Sequence, residues 1–497
     1  MFADEVLEGV NFISTWKKER HLDDQQTQTG ELLVEDQGVQ SYKCRDEGVQ
    51  TDEEPKKKLR MAEDRSGRLS EFLRDVEPYI SKQLINNLRS RAFDGFDVGW
   101  DDETTGVSCV HTLSSPIATG TFQVTGLSWN SSGSVIAASF GNLEHEDWCT
   151  HRSSLCTWSI GRANMKEDKP ETTLELDSCL MCVAFHPKNP AIIAGGNFNG
   201  EVLLWDLSRE DDMLIATSGL GEDAHQEPVS KVYWITDAKG KKIYLVSASS
   251  DGKIIQWKID RKAQKLLPKD GFMVMAQSLP RRMKVKGVRG DKEIGVTCLS
   301  YHSEDKDMFL VGSEAGVIFK CSMNSQGPPA GSQVSSSIPL RSPVTFTYNP
   351  HHGPVYAVQC SPFHRNAFIS AGMDQCIRLY SILQAQPVLT IEPGEGYIHA
   401  ASWSPVKATV LAVTTQSGCL LLYDLKQGKT VPVHKLTASP NKLPVYACQF
   451  NPQQTQLLAT GDGGGYIQIF KLSSNLRTST GRETEYIGNL VNVSAEQ

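Results

Sequence analysis

The chain has 497 residues, 50 Lys plus Arg against 58 Asp plus Glu, a formal net charge of −8 and a sequence pI near 5.9. That balance argues against a dedicated nucleic-acid binder, which carries a basic footprint, and against a membrane surface as the main partner. The length exceeds one ordinary domain and suits one large repeat domain with additions.

Residues 1–67 are dominated by charged and polar side chains, with short acidic runs at Asp23-Asp24, Asp46-Glu47 and Asp52-Glu53-Glu54. Such a stretch buries too little apolar surface to offset ordering, so the expectation is a disordered arm. Its start, Met1-Phe2-Ala3-Asp4-Glu5, lacks the basic residues and apolar core of a secretory signal. The cluster Lys56-Lys57-Lys58-Leu59-Arg60 reads as solvated charge rather than a nuclear signal. Three phrases recur in the arm: Gln26-Thr27-Gln28-Thr29, Gly38-Val39-Gln40-Ser41 and Gly48-Val49-Gln50-Thr51. Alternating residues around a Gln can add a strand to a partner's sheet edge, and several copies raise avidity for a dimeric partner.

Residues 68–93 change character. Leu69, Phe72, Leu73 and Val76, then Tyr79, Ile80, Leu84, Ile85 and Leu88, fall at helical spacing around Pro78. The spacing predicts an amphipathic helical segment, with Pro78 either kinking one helix or starting a second. Its apolar stripe either packs on the following domain or docks in a partner's groove.

From about residue 105 to 473 one pattern is restated. An alternating strand ends in a small turn, a second strand ends in small residues, and a tight turn leads to a third strand closing on an aromatic. The closing residues are Trp158, Trp205, Trp257, Cys321, Tyr380, Tyr423 and Phe470, at intervals of 47, 52, 64, 59, 43 and 47. Five residues separate Gly200, Gly252, Gly316, Gly418 and Gly465 from their closing residues, and Gln375 precedes Tyr380 by the same five. A turn glycine supplies an unusual backbone angle, and the odd offset fixes the face taken by the aromatic. The two long intervals hold a basic stretch, Pro280 to Lys286 and on to Arg289, and a Gly/Pro/Ser-rich stretch, Gln326 to Ser332, both read as exposed loops. Cys109-Val110-His111-Thr112-Leu113 precedes the first unit and is expected to complete the last one, closing a ring without exposed edges. Residues 474–497 are read as a tail.

Trp205-Asp206, and the weaker Tyr423-Asp424, resemble the Trp-Asp signature of WD repeats. The expectation is an all-β fold: a seven-bladed WD-repeat β-propeller preceded by a disordered arm and a short helical segment. The three parts together resemble a dynein intermediate chain. Thr27-Gln28-Thr29 matches the anchor used by partners of the eight-kilodalton dynein light chain. Gly48-Val49-Gln50-Thr51-Asp52 is similar to the alternative Gly-Ile-Gln-Val-Asp form, and Gly38 to Ser41 is a poorer match because Tyr42 stands in place of Asp. A short arm, and a chain that stops soon after the last repeat, are similar to the branch serving the second cytoplasmic dynein.

The resemblance implies light-chain binding at Thr27, Gln28, Thr29, Val49, Gln50 and Thr51. It implies binding of a roadblock-type light chain at Leu69, Phe72, Leu73, Val76, Ile80, Leu84 and Leu88. It further implies a propeller that holds the motor heavy chain, a second intermediate chain as neighbour, a non-catalytic role in retrograde intraflagellar transport and cilium assembly, and a place in the cytoplasm, the cytoskeleton and the cilium with its base. The rival reading is a WD-repeat adaptor such as a ubiquitin-ligase receptor, which Ser208 disfavours by standing where Trp-Asp-x-Arg needs Arg.

No catalytic residue, cofactor or metal is assigned. There is no Walker-type loop, and Gly461-Asp462-Gly463-Gly464-Gly465 sits at a hairpin position. Cys179-x-x-Cys182 lacks a second CxxC partner. His145, Cys149 and His151 place three zinc-type ligands in one loop, but loops rich in histidine and acids are common. The twelve cysteines are expected to be reduced, mostly buried in strands, in a cytosolic chain with no run long enough to span a membrane.

Overall fold

A computed structural model describes residues 66–89, 106–145, 147–162, 165–237, 240, 242–284, 290, 292–327, 336–479 and 481–493. The chain divides into two compact units, Met1–Trp100 and Asp101–Gln497. Among the described residues of the first, α1 (Ser66–Arg89) is one helix with Pro78 inside it. The arm motifs at Thr27 to Thr29, Gly38 to Ser41 and Val49 to Thr51 lie outside the described residues.

The second unit is a succession of antiparallel meanders. β1 (Ser108–Leu113) comes first. β2 (Gln123–Trp129), β3 (Val135–Gly141), β4 (Ser153–Ser159) and β5 (Thr172–Leu176) form one four-stranded sheet. Next come β6 (Leu180–Phe185), β7 (Ile192–Asn197), β8 (Val202–Asp206) and β9 (Leu214–Thr217), followed by β10 (Val229–Thr236), β11 (Ile243–Ser249), β12 (Lys253–Asp260) and β13 (Lys265–Met273). These eight join into one sheet through a single parallel pair, Thr217 with Lys265. β14 (Val296–Tyr301), β15 (Met308–Ser313) and β16 (Ile318–Ser322) are followed by β17 (Leu340–Arg341), which adds to β13 in parallel as a ninth strand, and by β18 (Val344–Thr347), which returns to β16. The next sheet holds β19 (Val355–Cys360), β20 (Ala367–Gly372), β21 (Ile377–Ser381) and β22 (Pro387–Ile391). Another holds β23 (Ile398–Trp403), β24 (Val410–Thr415), β25 (Cys419–Asp424) and β26 (His434–Thr437).

The last sheet, of β27 (Val445–Phe450), β28 (Leu457–Asp462) and β29 (Ile467–Lys471), takes β1 as its outer strand. Leu113 pairs with Ile467 and Ser108 with Lys471. The inner strands β2, β6, β10, β14, β19, β23 and β27 touch one another in that cyclic order, and β27 returns to β2. The fold is therefore an all-β WD-type propeller, with five four-stranded sheets and one sheet of nine.

The core lies between sheets rather than within any one of them. Trp158, Trp257, Cys321, Tyr380 and Tyr423 are fully buried, and Trp205 and Phe470 nearly so. For all of these but Trp158, the turn position five residues earlier is left-handed: the glycines have φ between 77° and 89°, and Gln375 has φ 62°. Gly461 marks the seam where the ring closes. A Cβ there would meet Val124 Cγ1 of the first sheet at 2.4 Å. Hydrogen bonds repeat across the seams: Phe185 N–H donates to Ser128 Oγ at 2.9 Å, Cys360 N–H to Ser300 Oγ at 3.0 Å, and Trp129 N–H to Gln449 Oε1 at 3.1 Å.

The stretch read as a tail carries two helices, α2 (Ser474–Arg477) and α3 (Arg482–Val493). Ile487 and Val491 are fully buried in the cluster around Trp403, Tyr423 and Leu425. Tyr486 Oη donates to the Leu425 carbonyl at 3.0 Å. Among the described residues no helix is long and apolar enough to cross a membrane.

Candidate functional site

Helix α1 presents the first candidate surface. Phe72, Leu73, Tyr79, Ile80, Leu84 and Ile85 are 47–67% exposed, and Val76 is half-buried. The apolar stripe that the sequence spacing predicted is thus present and exposed on a charged helix. The side chains of Leu69 and Leu88 lie outside those described.

The propeller offers two concavities. The central channel, about 250 Å³, is lined by residues of all the inner strands, among them Lys231, Tyr356, His399 and Tyr446. Among the described residues that line it there is no carboxylate. His399 sits between the rings of Tyr356 and Tyr446, at 5.5 and 4.8 Å, and burial pushes its imidazole down to about 4. A larger groove of about 960 Å³ runs along β5, β8 and β9, with Trp148 and Leu220 exposed at its rim and Trp205 at its floor.

Two buried networks have the elements of a Ser/His/Asp triad, which sequence spacing did not suggest. His225 reaches Ser247 Oγ at 2.6 Å and Asp251 Oδ1 at 3.3 Å, and Trp257 Nε1–H donates to Ser247 Oγ at 2.7 Å. His351 reaches Ser370 Oγ at 2.7 Å and Asp374 Oδ1 at 2.8 Å, with Arg378 donating to Asp374 at 2.8 Å. Both serines and both histidine side chains are sealed from solvent, so no substrate reaches a hydroxyl. These are struts that tie the loop before an inner strand to the strands and turn that follow. Asp374 carries a burial penalty, but His351 and Arg378 outweigh it and hold the carboxyl at about 2. The signal was available: His225 and His351 each stand a few residues before an inner strand, with Asp one residue before the turn position.

The loop between β3 and β4 brings His145, Cys149 and His151 together, as their proximity in sequence suggested, and adds Cys179 from the connection before β6. Cys182, the other half of the CxxC, lies elsewhere, with its thiol against the Val229 carbonyl at 3.3 Å.

Two family descriptions match the chain: "Dynein axonemal intermediate chain 3 WD40 domain" over residues 151–265, and "WD domain, G-beta repeat" over residues 342–381. Cytoplasmic dynein 2 intermediate chain 2 of Mus musculus is 40% identical over 494 residues, spanning 98% of this chain and 92% of its own length. The Homo sapiens protein of the same name is 39% identical over 421 residues, 84% of this chain and 78% of its own length. Dynein intermediate chain 3, ciliary, of Heliocidaris crassispina is 29% identical over 265 residues, 52% of this chain and 38% of its own. With a propeller at its core and 40% identity along nearly its whole length, the chain belongs to the WD-repeat dynein intermediate chain family, alongside intermediate chain 2 of cytoplasmic dynein 2.

Proposed function

We infer that this chain is a non-catalytic subunit of a dynein 2-type motor, joining light chains to the heavy chain for retrograde intraflagellar transport and cilium assembly, at the cilium and its base. The observation that carries this reading is the 40% identity across 98% of the chain, which extends beyond the propeller into the arm and helix. In this reading the arm holds an eight-kilodalton light chain through Thr27, Gln28, Thr29, Val49, Gln50 and Thr51. The exposed stripe of α1, with Phe72, Leu73, Val76, Ile80 and Leu84 among its residues and Leu69 and Leu88 at its ends, holds a roadblock-type light chain. The propeller grips the heavy chain, and a dimeric light chain brings a second intermediate chain alongside.

The same reading counts seven blades. Its support is the seven inner strands in cyclic contact and the single parallel pair that merges two complete meanders into one sheet.

The test uses the full chain, mixed with each purified light chain and run on size-exclusion chromatography with light scattering. The unchanged chain is expected to form both complexes. Changing Gln28, Thr29, Gln50 and Thr51 to Ala removes only the eight-kilodalton complex, and Phe72→Asp with Ile80→Asp removes only the roadblock complex. Failure of the unchanged chain to bind either light chain rejects the light-chain assignment.

A further inference from the structure

We propose that His145, Cys149, His151 and Cys179 form a structural zinc site that clips the β3–β4 loop of one propeller sheet to the start of the next.

Four side chains, two imidazoles and two thiols, converge with all ligand atoms within 4.8 Å of one another. His145 Nε2 and His151 Nδ1 are 3.2 Å apart, and Cys149 Sγ lies 3.7 Å from His151 Nδ1. Metal–sulfur bonds of about 2.3 Å and metal–nitrogen bonds of about 2.0 Å set tetrahedral edges of about 3.3–3.8 Å. The nitrogen–nitrogen and sulfur–nitrogen edges expected from those bonds, about 3.3 and 3.5 Å, agree with the two distances to within about 0.2 Å. A donor set of two sulfurs and two nitrogens in tetrahedral array selects zinc among the common divalent ions.

A backbone donor faces each sulfur. The Cys179 backbone N–H donates to Cys149 Sγ at 3.2 Å, and the Asn142 N–H donates to Cys179 Sγ at 3.2 Å. Backbone donors aimed at sulfur stabilise its charged form, as outer-shell partners of metal ligands do.

The loop is held in place for the task. Cys149 exchanges two hydrogen bonds with the Asn199 side chain, both at 3.0 Å, and His145 stacks on Phe198 with ring centroids 3.9 Å apart. Three ligands come from one loop and the fourth from the next sheet. The metal would therefore add coordination bonds between sheets that otherwise meet through packing and hydrogen bonds. It also fixes the loop that puts Trp148 at the rim of the 960 Å³ groove. The proposal does not depend on the light-chain reading above.

The test is metal analysis of the full chain, purified without a polyhistidine tag or chelator. Inductively coupled plasma mass spectrometry is expected to find about one zinc per chain. Cys149→Ser and Cys179→Ser each lower bound zinc at least tenfold, and Cys182→Ser leaves it unchanged. Because the serine variants can misfold, a second measurement uses the unchanged chain. Zinc is exchanged for Co²⁺, which should give the visible bands of tetrahedral cobalt with thiolate charge transfer at one equivalent. A chain that holds no zinc and gives no such spectrum overturns the proposal, as does a Cys149–Cys179 disulfide in intact-mass analysis, or another metal in place of zinc.

Discussion

Helices α1 and α3 both carry apolar stripes and lie on either side of the repeats in sequence, yet their side chains meet opposite fates. In α3, Ile487 and Val491 are fully buried against Trp403, Tyr423 and Leu425, and Tyr486 bonds the Leu425 carbonyl. In α1, Phe72, Ile80 and Leu84 are about half exposed. An apolar face left in water stays there only if something outside the chain covers it in use, or if it is too small to matter. The stripe on α1 spans three turns, too much for the second explanation. Burial ties α3 to the propeller's stability, and exposure is the ground for proposing α1 as a partner-binding face; each assignment can be broken by a substitution that leaves the other intact.

The largest expected effect is a charge placed in the buried stripe. Ile487→Asp introduces an unpaired carboxylate into a fully apolar site and should destabilise the propeller by about 4 kcal/mol. Thermal melting would show it as a clear fall in midpoint. Ile80→Asp on α1 should leave the midpoint unchanged, since an exposed substitution stays within about 0.5 kcal/mol. It should instead abolish co-elution with the roadblock-type light chain. Equal melting shifts for the two variants would erase the distinction between the helices.

The next effect lies where α2 and α3 join the repeats. Lys407 Nζ meets Asp424 Oδ2 at 2.8 Å and the Asn475 carbonyl of α2 at 2.8 Å, with Glu483 of α3 at 4.0 Å. The Lys407 and Asp424 side chains are both nearly inaccessible. Lys407→Met keeps the bulk and strands a buried carboxylate, which should destabilise by about 3 kcal/mol in denaturant melts. The double change Lys407→Met with Asp424→Asn should recover much of that loss. A single variant as stable as the parent would mean the helices are held by apolar contacts alone.

These details separate what the sequence made readable from what it hid. The five-residue offset from turn to closing aromatic predicted both the left-handed turns and the burial of Trp205, Trp257 and Tyr380, because period-two alternation ties face to count. Cys109 to Leu113 was legible as the closing strand for the same reason. Helix α3 escaped because its stripe, Tyr486, Ile487, Leu490 and Val491, is a single short one outside the repeats, and only the tertiary surface it meets gives it meaning. Cys179 escaped as a partner of His145 because 34 positions separate them and only the adjacency of neighbouring sheets brings them together. The merging of β9 with β13 rests on one residue pair, below anything that periodicity resolves.

A third expectation concerns acid. Burial holds His399 at about 4 in the folded channel, against about 6.5 in an unfolded chain. Between those values the unfolded state takes up a proton that the folded state refuses. This contribution is therefore fully present above pH 6.5 and is lost as the pH falls toward 4, by up to about 3 kcal/mol. Denaturant midpoints at pH 7.5 and 5 should differ in the parent and differ less in His399→Gln. Helix α1 carries no histidine, so its own side chains add no such step. An unchanged pH slope in the variant would place the acid sensitivity elsewhere.

The smallest effect returns to the repeats. Five turn positions are glycine with φ between 77° and 89°, and the sixth is Gln375 at φ 62° with an exposed side chain. An L residue in that region is strained by roughly 1 kcal/mol, part of which glycine gives back through the greater entropy of its unfolded chain. Gln375→Gly should therefore stabilise the propeller by about 0.5 kcal/mol, while Gly200→Ala destabilises it by more. A Cβ at Gly200 would lie 2.2 Å from the His225 carbonyl oxygen, so steric contact adds to the strained angle. If Gln375→Gly instead loosened the fold, the side chain at that turn would be making contacts that outweigh its backbone strain, and the repeat closing on Tyr380 would differ from the others in more than its residue.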